Sequence, residues 1–235
     1  MSQLPCKERY PAAHRNDPSH TGTPARRLLE EIRLAPFPVH TWPISGMHKC
    51  SRVKPITASF RAIEPLGAEH KKLRAAFSCG VESLDRYLKE QASQDAKKRV
   101  AVPYVLVSSD NRIAGYYTLS SNNIRMDDIP VELVKQLNLP RYPVIGATLI
   151  GRLARDLAFR GQGIGDLLLA DALKRALGMS KNIASAAVVV DAKDENAHCF
   201  YSEFGFIAFP ETVSRLFMPM ETIEKLFAVP SSPAR

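Results

Sequence analysis

The six residues Arg160-Gly161-Gln162-Gly163-Ile164-Gly165 carry the most specific chemical signal in the chain. Their spacing is Arg-x-x-Gly-x-Gly, between an apolar, strand-like stretch and a helix-period pattern. Glycine lets a backbone approach a ligand without a Cβ and tolerates positive φ. A helix that starts at such a loop offers unpaired N–H groups and the positive end of its dipole. Together these favour phosphate oxygens. Two better-known glycine loops are excluded. A Walker loop needs Gly-x-x-x-x-Gly-Lys-Ser/Thr, and a dinucleotide fingerprint needs Gly-x-Gly-x-x-Gly in the first turn of a βαβ unit. A second chemical group is Tyr201, between Phe200 and the run Phe204-Gly205-Phe206. Taken alone, Tyr201 reads first as a core aromatic. Cys199 lies beside it, but no His/Asp constellation supports a nucleophilic role.

The elements that must position these groups follow from periodicity. Leu84, Tyr87, Leu88 and Ala92 fall at helical spacing within 81–97. Residues 102–107 and 113–119 read as a hairpin around Asp110-Asn111. Residues 130–137 read as a short helix ending before Pro140. Residues 145–158 read as a central strand with an irregularity near Arg155. A helix over 164–177 is expected to stop at Gly178, with Asp171, Lys174 and Arg175 on its wet face. Then come a strand over 184–190, a helix over 195–203, a strand over 214–218 and a helix over 221–227. The order is mixed α/β.

Residues 1–50 differ in kind. Pro5, Pro11, Pro18, Pro24, Pro36, Pro38 and Pro43 interrupt any long element, and only residues 26–34 have helical character. The expected organisation is a poorly ordered extension over 1–50, one domain over 51–229 and a loose tail over 230–235. No apolar run approaches the ~18 residues of a membrane span, and no membrane association is expected. Cys6, Cys50, Cys79 and Cys199 show neither Cys-x-x-Cys spacing nor a His partner, so neither metal nor disulfide is expected, and the thiols read as reduced and cytoplasmic. The formal net charge of +8 favours a polyanionic partner.

Further segments join the glycine loop. They are Phe77-Ser78-Cys79-Gly80 with Leu84-Asp85-Arg86-Tyr87-Leu88, and Ala114-Gly115-Tyr116-Tyr117-Thr118-Leu119-Ser120. Two more are Pro140-Arg141-Tyr142-Pro143 before Ile150-Gly151-Arg152-Leu153-Ala154, and Val190-Asp191-Ala192 before Asn196 and Tyr201. The set resembles the GCN5-related N-acetyltransferase (GNAT) toxins of bacterial type II toxin–antitoxin systems, the TacT-like group, over residues 55–228. The resemblance implies a GNAT fold of class α/β (α+β): a mixed, mostly antiparallel central sheet splayed into a V and flanked by helices. It implies acetyl-CoA as cosubstrate and no metal. The pantetheine arm would bond the backbone of Leu153, Ala154 and Arg155, and the pyrophosphate would sit on Arg160, Gly161, Gln162, Gly163, Ile164 and Gly165. Asn196 would contact the coenzyme, and Tyr201 would act as general acid near the thioester sulfur. The group carries a small apolar residue where this chain has Arg155, whose side-chain role is left open.

The resemblance also implies aminoacyl-tRNA as acceptor, a ribbon-helix-helix antitoxin, DNA contact only through the antitoxin complex, and a homodimer. The acceptor fits an independent chemical argument. A free α-amine titrates at about 7.7–8.0 and a lysine at about 10.4, so an aminoacyl ester presents far more neutral amine at pH 7. For the RNA phosphates, Arg141 and Arg152 lead, followed by Lys97, Lys98 and Arg99, with Lys71, Lys72, Arg74, Lys174 and Arg175 as further candidates. Other amines, and a non-catalytic coenzyme-binding module, remain alternatives.

Overall fold

A computed structural model describes residues 60–137, 139 and 142–227. The expected extension over 1–50, the helix over 26–34, the tail over 230–235 and Arg141 lie outside the described residues.

One seven-stranded sheet organises the chain. Its strands are β1 (Phe60–Pro65), β2 (Val102–Ser108), β3 (Ile113–Arg125), β4 (Val144–Arg155), β5 (Ala187–Asp191), β6 (Ile207–Ala208) and β7 (Arg215–Pro219). The order across the sheet is β1-β2-β3-β4-β5-β7-β6. Every pairing is antiparallel except β4 with β5. The helices are α1 (Glu82–Arg86), α2 (Ala92–Lys97), α3 (Val131–Gln136), α4 (Ile164–Ser180), α5 (Glu195–Glu203) and α6 (Met220–Phe227). A π-helical turn, Tyr87–Gln91, joins α1 to α2.

The central strands are apolar because both faces are covered. On one face, Tyr117 and Leu119 pack with Ile164, Leu168, Leu169 and Leu173 of α4. On the other, Tyr116 and Val105 pack with Phe77, Tyr87 and Leu88. Each fully buried Leu or Ile contributes roughly 1.5–3 kcal/mol of transfer free energy. Gly115 permits the close seat of α4. A Cβ there would lie 2.6 Å from Leu168 Cδ1 and 2.8 Å from the Ala154 carbonyl oxygen. Asp171, expected on the wet face, is buried instead. It accepts from the Tyr117 hydroxyl and from Arg175 Nε (2.7 Å), and Arg175 Nη2 donates to the Ile63 carbonyl (2.7 Å). Arg175 thus ties α4 to β1 and leaves the set of candidate RNA contacts. Arg74 leaves it too: it is buried and donates to the Leu88 carbonyl at 3.1 Å.

Other departures have physical causes. Strand β3 runs past the expected end at 119 to Arg125, through Ser120-Ser121-Asn122-Asn123; its register with Val144–Leu149 of β4 overrides local propensity. Strand β1 has only two buried residues, Phe60 and Ile63, straddling a register shift, so its sequence shows no period. Helix α4 runs through Gly178, where nothing lies within 4 Å of a Cβ, and ends at Ser180. A helical glycine costs about 1 kcal/mol and does not compel a stop. Cys79 is a free thiol.

Candidate active site

Strands β4 and β5 run side by side only from Ala147↔Ala187 to Ile150↔Val190. Beyond that point β5 continues on β7, and β4 continues on β3 to Arg155. This divergence is the expected V. The irregularity expected near Arg155 sits earlier: Thr118 pairs with Arg152 and Leu119 with Ile150, so Gly151 is the extra residue.

The ladder shows which backbone groups face the V. Asp156 N–H donates to the Ala114 carbonyl at 2.9 Å. With the register Ala154↔Tyr116 and Arg152↔Thr118, the antiparallel alternation turns the polar groups of Arg152 and Ala154 towards β3. Those of Leu153 and Arg155 turn to the side that β5 has left, and they make no other backbone hydrogen bond among the described residues. Unpaired polar groups aligned along an extended strand fit the amides of a pantetheine arm. Ala154, expected with them, already commits its own groups to Tyr116.

After β4 the chain makes a 3-10 turn, Leu157–Phe159, and enters the glycine loop. Gly161 has φ +79° and Gly163 φ +70°, the left-handed region that glycine adopts without strain. Gly163 is the N-cap of α4, and no side chain caps that end. The N–H groups at the start of α4 therefore remain available to an anion. The Gln162 side chain turns inward, with its Oε1 buried and unpartnered.

Asp156 holds this loop in place, and sequence analysis missed it. It is 4 % exposed. Its Oδ1 accepts from Ala158 N–H (2.8 Å) and its Oδ2 from Ser78 N–H (3.0 Å), with Arg112 Nη2 at 3.6 Å. The Ser78 carbonyl in turn accepts from Leu157 N–H at 2.9 Å. One carboxylate thus joins the end of β4, the glycine-loop entry and the 77–80 segment. The Asx turn to Ala158 is a local signal; the bond to Ser78, 78 residues away in sequence, is not. Asp156→Ala takes the shared acceptor from the part-buried Ser78 and Ala158 amides and is expected to cost about 1–3 kcal/mol in thermal unfolding. It is also expected to raise KM for acetyl-CoA more than KM for the acceptor.

Helix α5 carries the remaining groups. Asp194 is its N-cap, accepting from Ala197 N–H at 2.9 Å, so Asn196 is not the cap and stands exposed in the first turn. The Tyr201 ring is 6 % exposed, edge-on to Phe200 (5.2 Å) and Phe206 (5.5 Å). Its hydroxyl has no hydrogen-bond partner among the described residues. Burial, and secondarily the Asp191 charge, push the phenol well above its usual range. It therefore holds its proton at neutral pH. Burial also pushes the Cys79 thiol up to about 11, which leaves it a poor nucleophile.

Arg152 lies over the Tyr87 ring, its guanidinium carbon 3.6 Å from the centroid. Nothing in the local sequence marks Tyr87 as its support. Lys97, Lys98 and Arg99 are exposed at the end of α2. They lead into Val102, whose β3 partner Leu119 adjoins Thr118, the partner of Arg152. Among the described residues no cluster of three or more potential metal ligands is present, and no helix is long and apolar enough to cross a membrane.

An acetyltransferase (GNAT) domain family matches residues 103–208. A probable toxin TacT of Sinorhizobium fredii is 33% identical over 177 residues, 72% of this chain and 96% of the relative. A tRNA-acetylating toxin of Mycobacterium tuberculosis is 32% identical over 151 residues, 64% of this chain and 88% of the relative. Among solved structures, AtaT complexed with acetyl-methionyl-tRNAfMet superposes with a TM-score of 0.65 at 30% identity, covering 72% of this chain and 100% of that one. A tyrosine-to-phenylalanine variant of AtaT, bound to the C-terminus of the antitoxin AtaR and acetyl-CoA, gives 0.60 at 28% identity, covering 73% and 99%. The AtaT–AtaR complex bound to DNA gives 0.57 at 29%, covering 71% and 99%.

Proposed function

The chain belongs to the TacT-like toxins of the GNAT acetyltransferase family, and from that premise we propose that it transfers the acetyl group of acetyl-CoA to the amino group of aminoacyl-tRNA and so blocks translation. The observation that carries the reading is the V between β4 and β5, with the backbone groups of Leu153 and Arg155 on its open side and the uncapped start of α4 beyond it. The catalytic unit is assigned to residues 51–229.

The coenzyme supplies an activated thioester carbonyl. The chain supplies four things around it. Leu153 N–H, nearest the vertex, donates to the carbonyl oxygen as negative charge develops there. Arg155, beyond it, offers its backbone to the arm. The amides and Arg160 of the glycine loop hold the pyrophosphate, and Asn196 contacts the coenzyme from α5. The Tyr201 hydroxyl keeps a proton for the departing thiolate. No side-chain base is required, because the α-amine of an aminoacyl ester is substantially neutral at pH 7.

Arg152, stacked on Tyr87, and the exposed Lys97, Lys98 and Arg99 are assigned to the RNA backbone, with Arg141. Replacing Lys97, Lys98 and Arg99 together by alanine is expected to raise KM for aminoacyl-tRNA and leave KM for acetyl-CoA unchanged. The slope of log KM against log salt should fall by about one for each phosphate that is no longer neutralised. An unchanged salt slope would return these residues to a solvated helix end.

As partners we assign a small antitoxin of the ribbon-helix-helix type, through which the complex reaches DNA, and a second copy of the chain as homodimer; the site of action is the cytoplasm. A neighbouring reading frame encoding a ribbon-helix-helix domain supports the first, and light scattering tests the second. The function itself is tested by incubating the protein with labelled acetyl-CoA and bulk aminoacylated tRNA. Label on the esterified amino acid is expected. Bound acetyl-CoA without label transfer would overturn the acceptor and point to another amine.

A further inference from the structure

The surroundings of Arg155 give its side chain a task. It stands opposite Gly115 at the end of β4. A Cβ on Gly115 would point at Leu168 and Ile164 of α4. Directly paired residues project to the same face of a sheet. The Arg155 side chain therefore leaves the strand on the α4 face, beside Ile164, the first residue of α4.

No anion neutralises it there. Arg155 is half-buried and has no ion pair or hydrogen bond among the described residues. Its sequence neighbour Asp156 is directed elsewhere, to Ser78 N–H, Ala158 N–H and Arg112. The acid in the first turn of α4, Asp166, is turned to α5: burial and then the Glu203 charge push it up to about 6, with no compensation from any arginine. Two charged or titratable groups act on Arg155: a second cation, Arg160, and, in the opposite direction and more weakly, the Cys79 thiol. Burial first, and then the Arg160 charge, lower the affinity of Arg155 for its proton. Two guanidinium groups beside an uncapped helix start repel one another until an anion lies between them.

We propose that the Arg155 guanidinium binds the pyrophosphate of the coenzyme, opposite Arg160 and beside the first amides of α4. This rests on the acetyl-CoA site described above and adds a side-chain ligand to it. The pyrophosphate is favoured over the 3′-phosphate because Arg155 is fixed on the strand that leads into the glycine loop, next to the α4 amides. A planar, permanently charged fork suits two phosphate oxygens at once.

The test is calorimetric binding by the full chain, which needs no acceptor. Failure of the tRNA reading would therefore leave it intact, and the two failures are distinguishable. Three ligands separate the contributions: acetyl-CoA, 3′-dephospho-acetyl-CoA and acetyl-pantetheine, which lacks every phosphate. Arg155→Val is expected to weaken acetyl-CoA about ten- to hundredfold. The loss should be equal for the 3′-dephospho form and absent for acetyl-pantetheine. Arg155→Lys should restore most of the affinity. Arg155→Gln, which keeps the stem, serves if the valine variant does not fold. Unchanged acetyl-CoA binding overturns the proposal. So does an equal loss with acetyl-pantetheine, which would mean packing, or a loss that disappears with the 3′-dephospho ligand, which would mean the other phosphate.

Discussion

Replacing Tyr201 by phenylalanine is expected to slow acetyl transfer to aminoacyl-tRNA by about 10²–10⁴-fold, with acetyl-CoA affinity unchanged. The ring keeps its place against Phe200 and Phe206. The hydroxyl has no partner among the described residues, so its removal breaks no internal bond and thermal unfolding should hardly move. What is lost is the proton at the oxygen. The pH profile gives an independent check. Burial disfavours the charged phenolate, so the folded-state pKa is raised and the acid form persists from low pH through at least about pH 9. The rate should climb as the acceptor α-amine loses its proton, at or below about 7.7–8.0. It should not fall again before about pH 9. Rapid-quench measurement of a single turnover reads both. A Tyr201→Phe enzyme with the wild-type rate would remove Tyr201 from catalysis.

The second large effect concerns an atom that side-chain substitutions normally leave in place. Leu153→Pro removes the N–H facing the V while keeping the ladder with β3, because Leu153 does not use that N–H for β3. Proline is tolerated where a strand's N–H points away from a partner, and Arg152 before it is already extended. Loss of one donor to a developing oxyanion costs about 10²–10³-fold in kcat. Leu153→Val, which keeps the N–H, should stay within a few-fold of the parent by the same argument. Circular dichroism separates misfolding from chemistry. A folded Leu153→Pro protein with undiminished kcat would assign the oxyanion to another donor.

The parts of this site legible in the sequence are those whose signal is local. The glycines of 160–165 announce a loop and a helix start, because few residues other than glycine accept φ near +70°. The boundaries of α5 are readable because its amphipathic run ends at Gly205, with φ +95°. What is not legible depends on distant partners. Asp171, Arg175 and Arg74 are charged and read as solvent-facing, yet each finds a buried partner on another element: the Tyr117 hydroxyl, the Ile63 carbonyl and the Leu88 carbonyl. Asp156 reads as part of the strand over 145–158 until Ser78 arrives. Arg152 reads as a free cation until Tyr87 is placed beneath it. Strand β1 fails for a different reason: two apolar residues across a register shift give no period to detect.

The divergence of β4 from β5 also bears on how the protein behaves when empty. From Gly151 onward, β4 is an edge strand inside the sheet, with one side paired and the other open. Open edges invite another chain to add itself. An amide-bearing pantetheine arm is short, extended and able to both donate and accept, so in the proposed complex it would stand in for the missing strand and close that edge. The coenzyme would then be a folding partner as well as a reactant. Its binding stabilises the native state by RT ln(1 + [L]/Kd), and a cell rich in coenzyme keeps the sheet complete between turnovers.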